Sequence, residues 1–283
     1  MSFRFLKSAF PQWTRVATMA FACLLGKLGP ASAQHSDIFL AEVGGQVAVG
    51  AAADLDGLEG GPFYDLETRV FEGVMVAGGT PPFFFDYQRA EPGFNAAPTS
   101  VVAGSNPLPA NAAASLAFAP VTLAGQSSQL FYWDGTGAVD FQPVISPPVP
   151  AVDNPNFGTT GGSGGMDEHP LFAINTPGIS IPADGVYVMG LSASVAGLTD
   201  STPFAIVWLV DQLLVDDDAA EELEGLLEAF EGGGDEPVFG GKNFAFYEEG
   251  VEFVAESIPE PTGLGLMCSM LLSGLRGLRL RRA

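Results

Sequence analysis

The sequence predicts an all-β chain, a β-sandwich or jelly roll with one amphipathic helix, flanked by an apolar segment at each end. Three observations lead there. Gly and Pro number 36 and 22 among 283 residues, about a fifth of the chain, against a usual share of roughly 12%. Short apolar runs recur between these turn-forming residues, the rhythm of a two-sheet fold. A hydrophobic content of 47% allows a sizeable core.

The first 33 residues carry Arg4, Lys7, Arg15 and Lys27 and no acid. The apolar run from Val16 to Gly26 is too short to span a bilayer, and Ala31-Ser32-Ala33 fits a small-x-small cleavage site. This is the pattern of a secretory signal helix, cut by signal peptidase between Ala33 and Gln34. Cys23 lies inside the apolar run and Cys268 near the other end, so residues 34–257 hold no disulfide.

The domain at 34–257 opens with Ile38–Val43 and Gln46–Val49 around Gly44-Gly45, a two-residue hairpin signal. Residues 50–62 are rich in Gly and acid and read as a loop. A strand is expected over Arg69–Val76, a turn at Gly78–Pro82, and burial of Phe83-Phe84-Phe85. Residues 90–111 lack periodicity. Further strands are expected at Ala113–Leu123, Leu130–Trp133, Val139–Ile145, Val186–Val195 and Phe204–Val210. The helix is placed at about 216–231: Leu223, Leu226, Leu227 and Phe230 form one apolar stripe, Asp216–Asp218 cap its start and Gly232–Gly234 end it. Its acids through Glu224 read as a solvated face. A last hairpin is expected from Phe244–Tyr247 and Val251–Val254 around Glu248-Glu249-Gly250.

Charge divides the chain sharply. Residues 34–258 hold three bases, Arg69, Arg89 and Lys242, against 32 acids, a net charge of −29. Such a surface repels phosphate, which argues against nucleic acid as a partner, and keeps like chains apart in solution. The C-terminal segment, 258–283, reads Ile258-Pro259-Glu260-Pro261, then an apolar stretch Thr262–Leu275, then Arg276, Arg279, Arg281 and Arg282. Fourteen helical residues reach about 21 Å, so a transmembrane helix has to extend past Arg276, whose stem can snorkel. The Arg cluster then stays in the cytoplasm and the domain lies outside.

The Pro259-Glu260-Pro261 motif, the apolar span and the terminal Arg cluster together resemble the PEP-CTERM sorting signal of Gram-negative bacteria. The resemblance implies recognition and tail removal by a membrane peptidase, exosortase, in a host that makes an extracellular polysaccharide matrix. It implies an inner-membrane-anchored precursor that ends at the outer membrane, the cell surface or outside the cell. Within the domain, His35-Ser36-Asp37-Ile38, Arg69-Val70-Phe71, Pro92-Gly93-Phe94-Asn95, Tyr132-Trp133-Asp134-Gly135-Thr136-Gly137, Asp184-Gly185-Val186-Tyr187 and Asp200-Ser201-Thr202-Pro203-Phe204 are similar to exported PEP-CTERM proteins of planctomycete-like bacteria. Members of this kind bring no assigned activity.

Chemistry-bearing residues are sparse. The chain has two histidines and no G-x-S-x-G motif, so no nucleophile–base pair is expected and the chain does not read as an enzyme. No cofactor is expected, apart from a divalent cation in the alternative reading. There, His35, Asp37, Asp167 or Glu168, and His169 supply nitrogen and oxygen donors for zinc or a similar ion. Asp54-Leu55-Asp56-Gly57 has the close carboxylates of a calcium loop without its remaining ligands. Tyr132, Trp133 and Trp208 would stack on sugar rings such as those of an exopolysaccharide if they were exposed.

Overall fold

The computed structural model describes residues 37–53, 63–78, 86–177 and 181–258. The strands among them are β1 (Asp37–Val43), β2 (Gln46–Ala53), β3 (Phe63–Tyr64), β4 (Val70–Ala77), β5 (Tyr87–Arg89), β6 (Phe94–Ala96), β7 (Ala113–Phe118), β8 (Val121–Leu123), β9 (Gln126–Ser128) and β10 (Leu130–Trp133). They continue with β11 (Gln142–Pro143), β12 (Val149–Val152), β13 (Gly158–Thr159), β14 (Met166–Glu168), β15 (Phe172–Asn175), β16 (Gly185–Val195), β17 (Phe204–Val210), β18 (Val238–Phe239) and β19 (Lys242–Asn243). Two helices among the described residues, α1 (Asp217–Glu231) and α2 (Phe246–Ser257), complete a mainly β fold. The expected signal helix, the expected C-terminal helix and Phe83–Phe85 lie outside the described residues. Among those described, no helix is long and apolar enough to cross a membrane.

The hairpin β1–β2 forms where Gly44-Gly45 predicts it, with Val43 opposite Gln46. Both glycines have positive φ, 61° and 85°, as a twist-matched two-residue turn requires. This hairpin belongs to a five-stranded sheet in the order β14-β6-β1-β2-β3. A larger sheet, curled into a half-barrel, runs β11-β10-β16-β17-β4-β5-β15-β12, with β7 paired to β16 and β13 to β7. Its centre pairs β17 with β4 in parallel, Trp208 opposite Gly73.

β17 explains the layering. All seven of its residues are buried, and alternation sends them to opposite faces. Phe204, Ile206, Trp208 and Val210 meet Ile38, Leu40, Val47, Val49 and Phe94 of the smaller sheet. Ala205, Val207 and Leu209 meet Leu223 and Leu227 of α1 and Tyr247, Val251 and Val254 of α2. The large sheet is thus covered on both sides, and β17 has no polar residue because neither face meets water.

β16 carries two partners on one edge. Met189 and the residues before it pair with β10, while Leu191–Val195 pair with β7. Gly190 stands at the change-over, donating to the Gln129 carbonyl and accepting from the Ala119 N–H, each at 2.9 Å. A Cβ there would lie 2.2 Å from the Ala119 carbonyl oxygen, so only glycine lets the two strands meet.

Helix α1 begins as its sequence predicts: the Asp216 side chain accepts from the Ala219 N–H at 3.0 Å. Ala220, Leu223 and Leu227 form its buried stripe, with Leu226 and Phe230 half-buried. Its acids are not all solvated. Glu224 and Asp217 take the Arg89 guanidinium, at 3.1 and 2.8 Å.

Other expectations need correction. The chain has a second helix where a final hairpin was expected. Tyr247, Gly250, Val251 and Val254 recur at helical spacing and are the buried positions of α2. Gly250 serves packing rather than a turn, since the Trp133 ring lies 3.3 Å from where its Cβ would sit. The strand expected over 113–123 breaks into β7 and β8, and only Gln142–Pro143 of the stretch 139–145 is strand. The aperiodic region 90–111 contains β6, three residues long and therefore too short for a periodic signal.

Candidate functional site

Asp37, Asp167 and His169 come together although the chain separates them widely. The order β14-β6-β1 does this: Ile38 lies opposite Phe94 in parallel, and Phe94 lies opposite Glu168 in antiparallel register. The start of β1 and the end of β14 therefore flank the start of β6. One ligand atom from each of Asp37, Asp167 and His169 lies within 4.8 Å of the others.

Glu91 and Gly93 complete the arrangement. The Gly93 N–H donates to Asp37 Oδ1 at 3.0 Å and to Glu91 Oε2 at 3.1 Å. The His169 ring lies over Gly93, where an added Cβ would stand 2.5 Å from Cε1 and Nδ1. Nδ1 of that ring is 3.0 Å from Glu91 Oε1, and Nε2 is 3.3 Å from Asp167 Oδ1. Partial burial works to lower the His169 pKa. The carboxylates of Glu91, Asp37 and Asp167 outweigh it, and the net direction is up. A carboxylate on one ring nitrogen orients the imidazole and leaves the other nitrogen for an ion. The donors are one imidazole and two carboxylates, a set that suits zinc and related divalent ions.

Glu168 does not join this group. Its side chain packs over Gly158, whose Cβ would meet Glu168 Cγ at 2.7 Å; Asp167 and Glu168 are neighbours in a strand and so point to opposite faces. Glu91 was missed in the sequence because nothing in its surroundings marks it as a ligand neighbour. His35, the cleavage pair Ala33 and Gln34, the Asp54–Gly57 loop and the motif Pro259-Glu260-Pro261 lie outside the described residues.

A second group of carboxylates had no sequence signal at all. Glu72 on β4, Glu231 at the end of α1 and Glu248 in the first turn of α2 each place a carboxylate oxygen within 4.8 Å of the other two. Glu72 is only 4% exposed.

Trp133 and Trp208 form no platform for sugars. Trp208 is fully buried and Trp133 nearly so. Trp133 packs on Phe141 and Phe246, and Trp208 on Phe172. This corrects the stacking role weighed for them. Tyr132 is half-buried on Tyr187, with ring centres 4.8 Å apart, and donates to the Asp184 carbonyl. The two tyrosines line a shallow cleft of about 200 Å³ with Pro147, Pro148, Ile181 and Pro182.

Compared with family models, curated proteins and solved structures, the chain matches none.

Proposed function

We propose that this chain is an exported, non-enzymatic protein of the cell surface or extracellular matrix, sorted through Pro259-Glu260-Pro261 and read by signal peptidase and exosortase. The observation that carries the reading is the segregation of charge. Bases sit beside the apolar runs at both ends, while residues 34–258 keep three bases against 32 acids. A cytoplasmic Arg cluster and a translocated acidic domain follow from that distribution. The acidic domain, which we read as a β-sandwich of jelly-roll kind, is the delivered part. Its charge keeps it dispersed among anionic polysaccharide.

Intact mass of the secreted protein tests this reading. The expected species begins at Gln34 and lacks the Arg tail. Recovery of the uncut chain, Met1 to Ala283, from the cytosol overturns it.

A second reading, a metal-binding module, is favoured by the convergence of Asp37, Asp167 and His169 within 4.8 Å. In this reading Asp167 and His169 hold a zinc-like ion, Asp37 adds a carboxylate, and Glu91 orients the imidazole. Competition with a chromophoric chelator tests it. Zinc affinity should fall at least about tenfold in His169→Ala, and equal affinity in both proteins removes the reading.

A further inference from the structure

We propose that Glu72, Glu231 and Glu248 form a calcium site that ties both helices to the centre of the large sheet. The site is independent of Asp37, Asp167 and His169.

Three separate elements supply the ligands, so the arrangement is tertiary rather than a run of acids on one surface. Glu72 comes from β4 beside the parallel partner β17, Glu231 is the last residue of α1, and Glu248 lies in the first turn of α2. Their oxygens lie within 4.8 Å of one another. Two oxygens on opposite sides of a calcium ion, each at about 2.4 Å, span about that distance. Carboxylate oxygen is the ligand a hard cation selects, and a site with no nitrogen or sulfur favours calcium over zinc.

The second observation is an unsatisfied atom. Glu72 is 4% exposed, and its Oε1 has no hydrogen-bond partner; Glu248 Oε1 has none either. A buried carboxylate oxygen without a partner has given up its hydration with nothing in exchange unless something replaces the water. The described bases make contacts elsewhere. Arg89 takes Asp217 and Glu224, Lys242 takes Asp211, and Arg69 donates to the carbonyls of Val49 and Thr68.

Helix geometry sharpens the argument. Glu231 sits at the C-terminal end of α1, where the helix dipole is negative and the last turn carries no base. Its carboxyl is exposed there and shares a hydrogen bond with Glu248. A calcium ion would hold all three carboxylates at once.

The site is also held in place. Tyr247, next to Glu248, donates its hydroxyl hydrogen to the Val207 carbonyl at 2.9 Å and accepts from the N–H of Gly73, next to Glu72, at 3.1 Å. This pair of bonds fixes the start of α2 against β4, so Glu248 faces Glu72 before any ion arrives.

The test uses the purified chain, stripped with EDTA and dialysed, then melted in 5 mM calcium chloride and in EDTA at matched ionic strength. For an affinity near 50 µM the melting temperature should rise by about 5 °C or more with calcium. Glu72→Gln should abolish the rise and weaken calcium binding at least about tenfold by titration calorimetry. His169→Ala should keep both. Should Glu72→Gln fail to fold, Glu248→Gln answers the same question at a less buried position. Any of these results overturns the proposal: no rise in the wild type, an equal rise in the glutamine variant, or a rise lost only in His169→Ala. An equal rise with magnesium also overturns it, because it shows general screening of an acidic chain.

Discussion

The hydroxyl of Tyr247 stands between two neighbouring strands, receiving the Gly73 N–H and donating to the Val207 carbonyl. It binds α2 to the parallel pair β4–β17 at the point where Glu72 turns toward the helices. Tyr247→Phe leaves a buried N–H without its acceptor. The expected loss is about 1–3 kcal/mol, read as a lower urea midpoint with an unchanged slope. An unchanged midpoint would mean that the hydroxyl does not bridge the strands.

Gly73 has a second reason to be glycine. A Cβ there would lie 2.4 Å from Trp208 Cζ3, and Trp208 is fully buried with Phe172 against its ring. The indole has nowhere to go. Gly73→Ala should therefore cost at least about 1–3 kcal/mol, measured by the same denaturation. A variant as stable as the wild type would show that the centre of the sheet can spread.

Gly93→Ala should behave differently although an added Cβ would meet its neighbour about as closely. The obstacle is the end of the His169 side chain, which is 40% exposed and can swing into water. Stability should change by less than about 1 kcal/mol. The His169 ring should lose its contact with Glu91, seen as a shift of its Cε1 proton resonance and a lower His169 pKa by NMR. A resonance identical to the wild type's would place the ring elsewhere.

Glu224 gives the fold a pH dependence. Burial pushes its carboxyl up to about 7 despite Arg89 beside it. Val74 donates to it from β4, and Glu221 and Glu228 add repulsion from its own helix. Because the folded pKa lies above the ordinary carboxylate value of 4.5, the native state binds more protons. The contribution of this group to stability is full below pH 4.5 and is lost as pH rises through 7, by on the order of 3 kcal/mol. Glu224→Gln should flatten that fall between pH 5 and 8 in EDTA. A slope equal to the wild type's would assign the dependence to other carboxylates.

Much of the β framework is legible in the sequence because local pattern and tertiary role agree. Leu130–Trp133 and Phe204–Val210 are strands with the bounds their apolar runs predict. Asp216 caps α1 through a local bond that needs no tertiary information. The second helix was hidden because Val251-Glu252-Phe253-Val254 has strand-forming residues and Gly250 looks like a turn. Packing against Trp133 overrides both. At the candidate site, Asp37, Asp167 and His169 could be named from residue type alone, whereas their meeting depends on β6 inserting between β1 and β14. Glu72 could not be singled out, since a lone acid within an apolar strand carries no sign of which face will be covered.

The parallel pairing of β4 with β17 also sets the order in which the molecule can be completed. Val70–Ala77 waits for Phe204–Val210 as its neighbour, and the helices that cover them come later still. A nascent chain cannot close its centre until most of its length has been synthesised, because long-range pairing delays folding.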